Sequence, residues 1–142
     1  MDPDEAGYRG FFQAMGNNPP ALRVLVVDDE LLIRWSLTET LEACGYLVTE
    51  AGDAASTRRL VHDAPPDVVL LDYRLPDSDD LNLLATIRHD APDAQVIMMT
   101  AHKTPEMARD ALRLGAYRIV TKPFEVQDVA ALVSEAHAAA AG

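Results

Sequence analysis

A single cysteine, Cys44, occurs in 142 residues. That excludes an internal disulfide and any metal site built from several thiolates. Cations are scarce as well: 12 Lys and Arg face 23 Asp and Glu, giving a net charge of −11 and a pI near 4.6. So acidic a chain lacks the clustered Lys and Arg that neutralise phosphates, and direct nucleic-acid binding is not expected of it. No apolar run approaches the roughly 18 residues of a membrane helix. The stretch Met1 to Pro20 carries acids where a secretory signal needs bases, and it has no apolar segment. A Gly-x-x-x-x-Gly-Lys-Ser/Thr phosphate loop is absent, which excludes nucleotide binding of that kind. What remains is ordinary globular composition, 49% hydrophobic and 25% charged, at the length of one domain. The expectation is a soluble, cytoplasmic protein without membrane contact.

Residues 1–20 contain Gly7, Gly10, Gly16, Pro3, Pro19 and Pro20 and show no periodicity. They read as a flexible leader before a domain over residues 21–142. From Leu22 apolar runs of strand length recur: Leu22–Val27, Tyr46–Glu50, Val68–Leu71, Val96–Met99 and Arg118–Thr121. Each gap holds one amphipathic helix pattern, and a repeating strand–helix unit of this size means crossovers and a parallel sheet. Gly45 and Gly115 stand where helices one and four should end. Thr104-Pro105-Glu106 opens helix four, Asp53 is the candidate cap of helix two, and Asp79 or Asp80 that of helix three. Strands one, three and four are continuously apolar, as strands covered on both faces are, whereas two and five carry polar residues and suit edges. The fold expected is flavodoxin-like α/β, a doubly wound (βα)5 parallel sheet of order 2-1-3-4-5.

In such a sheet, ligands bind beyond the carboxyl ends of the strands where the winding reverses, here between strands one and three. Strand one ends in Asp28-Asp29-Glu30, strand three in Asp72, strand four in Thr100 and strand five in Lys122-Pro123. Singly, each has a bland reading as a helix cap or a solvated side chain. Together they bring acids, a hydroxyl and a cation to one crevice. Clustered carboxylates repel unless a cation intervenes, and Mg²⁺ suits an oxygen-only donor set, whereas zinc wants His and Cys. Asp72 is then a carboxylate able to attack phosphorus, with Lys122 and Thr100 meeting phosphoryl oxygens.

In order and in strand position, Asp28-Asp29, Asp72, Thr100 and Lys122-Pro123-Phe124 resemble the receiver domain of two-component response regulators. The likeness covers about residues 22–138. It implies that Asp72 accepts a phosphoryl group from a histidine of a sensor kinase or phosphotransfer protein. It further implies that Asp29, Asp72 and the backbone carbonyl of Arg74 ligate Mg²⁺, with Asp28 acting through a water. Thr100 and Lys122 would couple phosphorylation to the face of helix four, strand five and helix five, with homodimerisation or domain release as output. The Lys122–Pro123 bond is implied to be cis. Chemistry would be limited to self-catalysed phosphoryl transfer and autodephosphorylation, so the chain is not expected to be an enzyme. The segments Leu32-Ile33-Arg34-Trp35-Ser36-Leu37 and Asp72-Tyr73-Arg74-Leu75-Pro76-Asp77 are similar to receivers of nitrogen-regulation-class AAA+ activators of alternative-sigma-factor promoters.

The pattern has departures. Ile119 stands where the family's switch aromatic usually lies, with Tyr117 two residues earlier, and Asp80 stands in place of a glycine. Arg74 and His102 flank the site where the family tunes phosphoryl lifetime. On helix one, Ile33, Leu37, Leu41 and Cys44 form the expected core stripe, with Cys44 as a buried small hydrophobe. Leu31 and Trp35 fall opposite and are candidates for the kinase interface or for cover by the leader. Met98 and Met99 read as core, and His62, His89 and His137 as solvated. Two other classes compete: a phosphorylation-independent interaction module, and an aspartyl phosphatase, which would need an Asp-x-Asp spacing that Asp28-Asp29-Glu30 lacks.

Overall fold

Strand and helix alternate from Arg23 onward in the computed structural model, which describes residues 21–141. The expected leader, residues 1–20, lies outside the described residues. The chain runs β1 (Arg23–Val27), α1 (Leu31–Ala43), β2 (Leu47–Ala51), α2 (Ala54–Asp63), β3 (Val68–Asp72), α3 (Asn82–Asp90), β4 (Gln95–Thr100), α4 (Pro105–Arg113), β5 (Ala116–Thr121) and α5 (Val126–Ala141). All neighbouring strands pair in parallel, in the order β2-β1-β3-β4-β5. The flavodoxin-like sheet read from strand polarity is therefore the sheet that forms.

Alternate strand residues feed two cores. Leu25, Val27, Val69, Leu71, Val96 and Met98 pack with Leu83, Leu84 and Ile87 of α3 and with residues of α2 and α4. Val24, Val26, Val68, Leu70, Ile97 and Met99 pack with Leu37 and Leu41 of α1 and with Val129 and Val133 of α5. A sheet covered on both faces leaves its polar ends as the exposed backbone, so the strand termini are where chemistry can sit. The β4–β5 register slips by one residue: Val96 pairs with Ala116 but Ile97 with Arg118.

Helix punctuation follows the sequence closely. Gly45 and Gly115 hold φ of +90° and +106°, the left-handed conformation that ends α1 and α4 and that a β-carbon would strain. Asp53 accepts a hydrogen bond from the Ser56 amide at 2.7 Å, and the Thr104 hydroxyl accepts one from the Met107 amide at 3.1 Å. At α3 it is Asp80 that accepts from the Asn82 amide, at 2.9 Å, while Leu81 holds the capping position. Cys44 is a correction: it is exposed, because α1 ends at Ala43 and the chain turns away before the stripe reaches residue 44. Ile33 is only half-buried, and Leu32 joins Leu31 and Trp35 among the exposed apolar residues. Among the described residues no helix is long and apolar enough to cross a membrane.

These two environments predict opposite responses to the same truncation. Leu70→Ala, in the fully buried middle of β3, should cost about 3 kcal/mol in urea unfolding. Leu32→Ala should stay within about 0.5 kcal/mol of the unsubstituted chain, and equal effects would contradict the burial pattern.

Candidate functional site

Asp72 and Thr100 are the last residues of β3 and β4, so their positions are set by the sheet ladder itself. Both are buried, as is Asp28 just past β1, while Asp29 is exposed. Lys122 follows β5. Its amide donates to the Thr100 carbonyl at 2.7 Å, and its bond to Pro123 is cis, as the resemblance implied. From there its ammonium spans the acids, 2.8 Å from Asp28 Oδ2, 3.2 Å from Asp72 Oδ2 and 3.5 Å from Glu30 Oε1. The hollow in front, about 230 Å³, is lined by Asp29, Asp72, Thr100, His102 and Lys122 among others, including Arg74. A larger hollow of about 510 Å³ lies over the β3–α3 loop, lined by loop residues such as Ser78, Asp79 and Asp80 rather than by the strand-end residues Asp72, Thr100 and Lys122.

Carboxylate oxygens of Asp28, Asp29 and Asp72 come within 4.8 Å of one another. Asp28 Oδ1 accepts from the Glu30 amide at 2.8 Å. Among the described residues Asp28 Oδ2 has no properly directed donor, the Lys122 ammonium being close but poorly aligned. An all-oxygen set with an underserved buried carboxylate fits a hard divalent cation such as Mg²⁺. Burial, and then the neighbouring Asp28 charge, push the Asp72 carboxyl up to about 6 despite Lys122, which pulls the other way. Burial works against the Lys122 ammonium, yet its close contacts with the Asp28 and Asp72 carboxylates outweigh this and raise its pKa. The lysine therefore stays charged at neutral pH.

Other expected residues lie around this centre. Thr100 Oγ1 accepts from the His102 amide at 3.2 Å, and Asp72 Oδ1 accepts a long bond of 3.4 Å from the Arg74 amide. Ile119 is buried on the α4 side of the sheet. Tyr117 packs on the opposite side, and its hydroxyl donates to Glu135 of α5 at 2.6 Å. Leu31 and Trp35 are 69% and 57% exposed on α1, beside the site.

Two neighbours escaped the sequence reading. Arg34 reaches back over the sheet edge, donating to the Asp28 carbonyl at 2.7 Å and to Glu50 at 2.9 Å. Its guanidinium lies 2.9 Å from where a β-carbon on Gly52 would stand, so that glycine gives the arginine its path. Asp77 reaches from the β3–α3 loop to α2, accepting from the Ala54 and Ala55 amides at 2.7 and 3.1 Å. Both sat in segments singled out for other reasons, and nothing in sequence spacing marks a cap 23 residues away from its helix.

The raised Asp72 pKa has a stability consequence with a definite sign. A folded-state pKa near 6 against an ordinary 3.8 means that the protonated carboxyl is favoured by folding. That stabilisation is complete below about pH 3.8 and lost as pH rises through 6. In chelator-treated buffer, Asp72→Asn should be more stable than the unsubstituted chain at pH 8, by on the order of 2 kcal/mol. The gap should narrow as pH falls towards 4.5; a gap independent of pH would contradict the desolvated, crowded carboxylate.

The response regulator receiver domain model matches residues 24–134. The DNA-binding transcriptional regulator NtrC of Proteus hauseri is 37% identical over 113 residues, 80% of this chain and 24% of that protein. The chain thus spans about a quarter of the length of the curated relatives it matches. A receiver domain protein from Methanospirillum hungatei JF-1 superposes with a TM-score of 0.82 at 27% identity, covering 85% of this chain and 97% of that one. NtrX from Brucella abortus gives 0.78 at 34% identity, covering 85% of this chain and 28% of that one. With strand-end acids, threonine and lysine in place on the same sheet, the chain belongs to the response regulator receiver domain family of two-component systems and is related to NtrC-type activators.

Proposed function

We propose that this chain is a phosphorylation-gated switch acting in the cytoplasm. Asp72 takes a phosphoryl group from a phosphohistidine of a sensor kinase or phosphotransfer protein, and the helix 4, strand 5 and helix 5 face passes the change to a transcriptional output. The observation carrying this reading is the convergence of Asp28, Asp29 and Asp72 with the Lys122 ammonium and the Thr100 hydroxyl in one crevice. With a pKa of about 6, Asp72 is ionised at neutral pH and able to act as a nucleophile. One carboxylate oxygen forms a bond to phosphorus as the P–N bond to the donor imidazole breaks, giving an acyl phosphate and a histidine that regains its proton. Lys122, charged throughout, meets the oxygen charge that arrives on the phosphoryl group, and the Thr100 hydroxyl donates to another of its oxygens. Mg²⁺, held by Asp29, Asp72 and the Arg74 carbonyl with Asp28 behind them, would neutralise phosphoryl oxygen charge. The chain would act as a switch rather than an enzyme, its chemistry confined to phosphoryl uptake and autodephosphorylation. The exposed Leu31, Leu32 and Trp35 beside the crevice support kinase docking on α1. The likeness to NtrC supports a place ahead of an activator's output domains, with homodimerisation as a step in that output.

Intact mass after incubation with a small acyl-phosphate donor tests the switch. A single Mg²⁺-dependent phosphoryl adduct is expected, and none on Asp72→Asn. No adduct under conditions that label a control receiver would favour a phosphorylation-independent interaction module. Trp35→Ala should slow transfer from the cognate kinase while leaving labelling by the small donor intact; an unchanged kinase rate would remove α1 docking.

A further inference from the structure

Beyond the residues that touch the site, we infer that Asp77 is a positioning residue, holding the Arg74 backbone in place through the N-terminus of α2. The inference rests on the reading of the crevice as a Mg²⁺ site that includes the Arg74 carbonyl. Residue 74 is fastened on both sides. Before it, the Tyr73 amide donates to the Met99 carbonyl of β4 at 2.8 Å. After it, Leu75 is buried and exchanges two backbone hydrogen bonds with Ser78, at 2.7 and 3.2 Å. That closes a tight turn with Pro76 and Asp77 at its tip. The turn is anchored in its turn by the Asp77 carboxylate, whose two oxygens take the Ala54 and Ala55 amides at 2.7 and 3.1 Å.

This anchor is charge-assisted and lies at the positive end of a ten-residue helix. It joins segments 23 residues apart, and α2 does not depend on it alone, since Asp53 independently caps the Ser56 amide. Asp77 therefore adds a tie between loop and helix that local capping of α2 does not need. The Arg74 amide bond to Asp72 Oδ1, 3.4 Å long, is too weak to fix residue 74 by itself. Freed from α2, the turn could rotate about Leu75 and carry the Arg74 carbonyl out of register with Asp72.

Mg²⁺ titration by calorimetry on the full chain, comparing Asp77→Ala, Asp77→Asn and Asp53→Ala, tests the assignment. Asp77→Ala should weaken Mg²⁺ binding about tenfold, as loss of a partner that orients a ligand does. Asp77→Asn keeps one accepting oxygen and should fall between. Asp53→Ala, which removes a cap of the same helix but leaves both Asp77 bonds in place, should bind Mg²⁺ as the unsubstituted chain does. At saturating Mg²⁺ the labelling rate of Asp77→Ala should return to normal, separating positioning from catalysis. Amide hydrogen exchange over residues 73–78, read without metal, should accelerate in Asp77→Ala and not in Asp53→Ala. Unchanged Mg²⁺ affinity in Asp77→Ala, or an equal loss in Asp53→Ala, would overturn the positioning role while leaving the metal site standing. Absence of Mg²⁺ binding by the unsubstituted chain would instead remove the metal site and this inference with it.

Discussion

One ammonium group keeps the crevice together. Lys122 lies within 3.5 Å of carboxylate oxygens from Asp28, Asp72 and Glu30, which come from two different strand ends. Without it, buried carboxylates would face one another across the point where the sheet reverses its winding, and their repulsion would act directly on β1 and β3. Its own burial is tolerated because these partners outweigh the loss of water. On the proposed function, an incoming phosphoryl group would share this cation with the acids, and charge added at Asp72 would be felt at β5, the strand that precedes the lysine.

Around that ammonium, long side-chain reaches add to what the sheet ladder fixes. Arg34 holds the Asp28 carbonyl from α1, and Asp77 ties the loop after β3 to α2. Both arrive at the same edge of the sheet, one on each side of the β2–α2 connection that contains Gly52. The loops that shape the crevice are thus braced against helices whose cores are well packed, through one helix side chain, Arg34, and one loop side chain, Asp77.

The fold was legible because its signals are local or periodic. Strand runs, left-handed glycines at 45 and 115 and the caps at Asp53 and Thr104 each act within a few residues, and polar content marked the edge strands. The chemically distinct side chains at strand ends were legible for a related reason: a doubly wound sheet brings those ends to one crevice whatever the helices contain. Cys44 was misread because helical periodicity was carried past the helix's end, where a stripe no longer faces anything. Asp77 was missed because its partners are backbone amides, which leave no trace in residue identity, and Arg34 because its partners, the Asp28 carbonyl and the Glu50 carboxylate, are brought together only by the pairing of β1 with β2. The side to which Tyr117 turns could not be read either, since it depends on a slip in pairing that no composition reveals.

That slip in β5 gives the strand two audiences. In an unbroken strand, positions 117 and 119 would share a face, and an aromatic at one could stand in for an aromatic at the other. The extra residue between the Val96–Ala116 and Ile97–Arg118 pairs reverses parity, so Ile119 addresses α4 while Tyr117 and Arg118 both meet Glu135 of α5. A displacement of β5 caused by its lysine would therefore be read by α4 as a change in apolar packing and by α5 as strain on a polar tether. On the proposed reading of this face as the output, its two helices would receive the same event in different chemical languages.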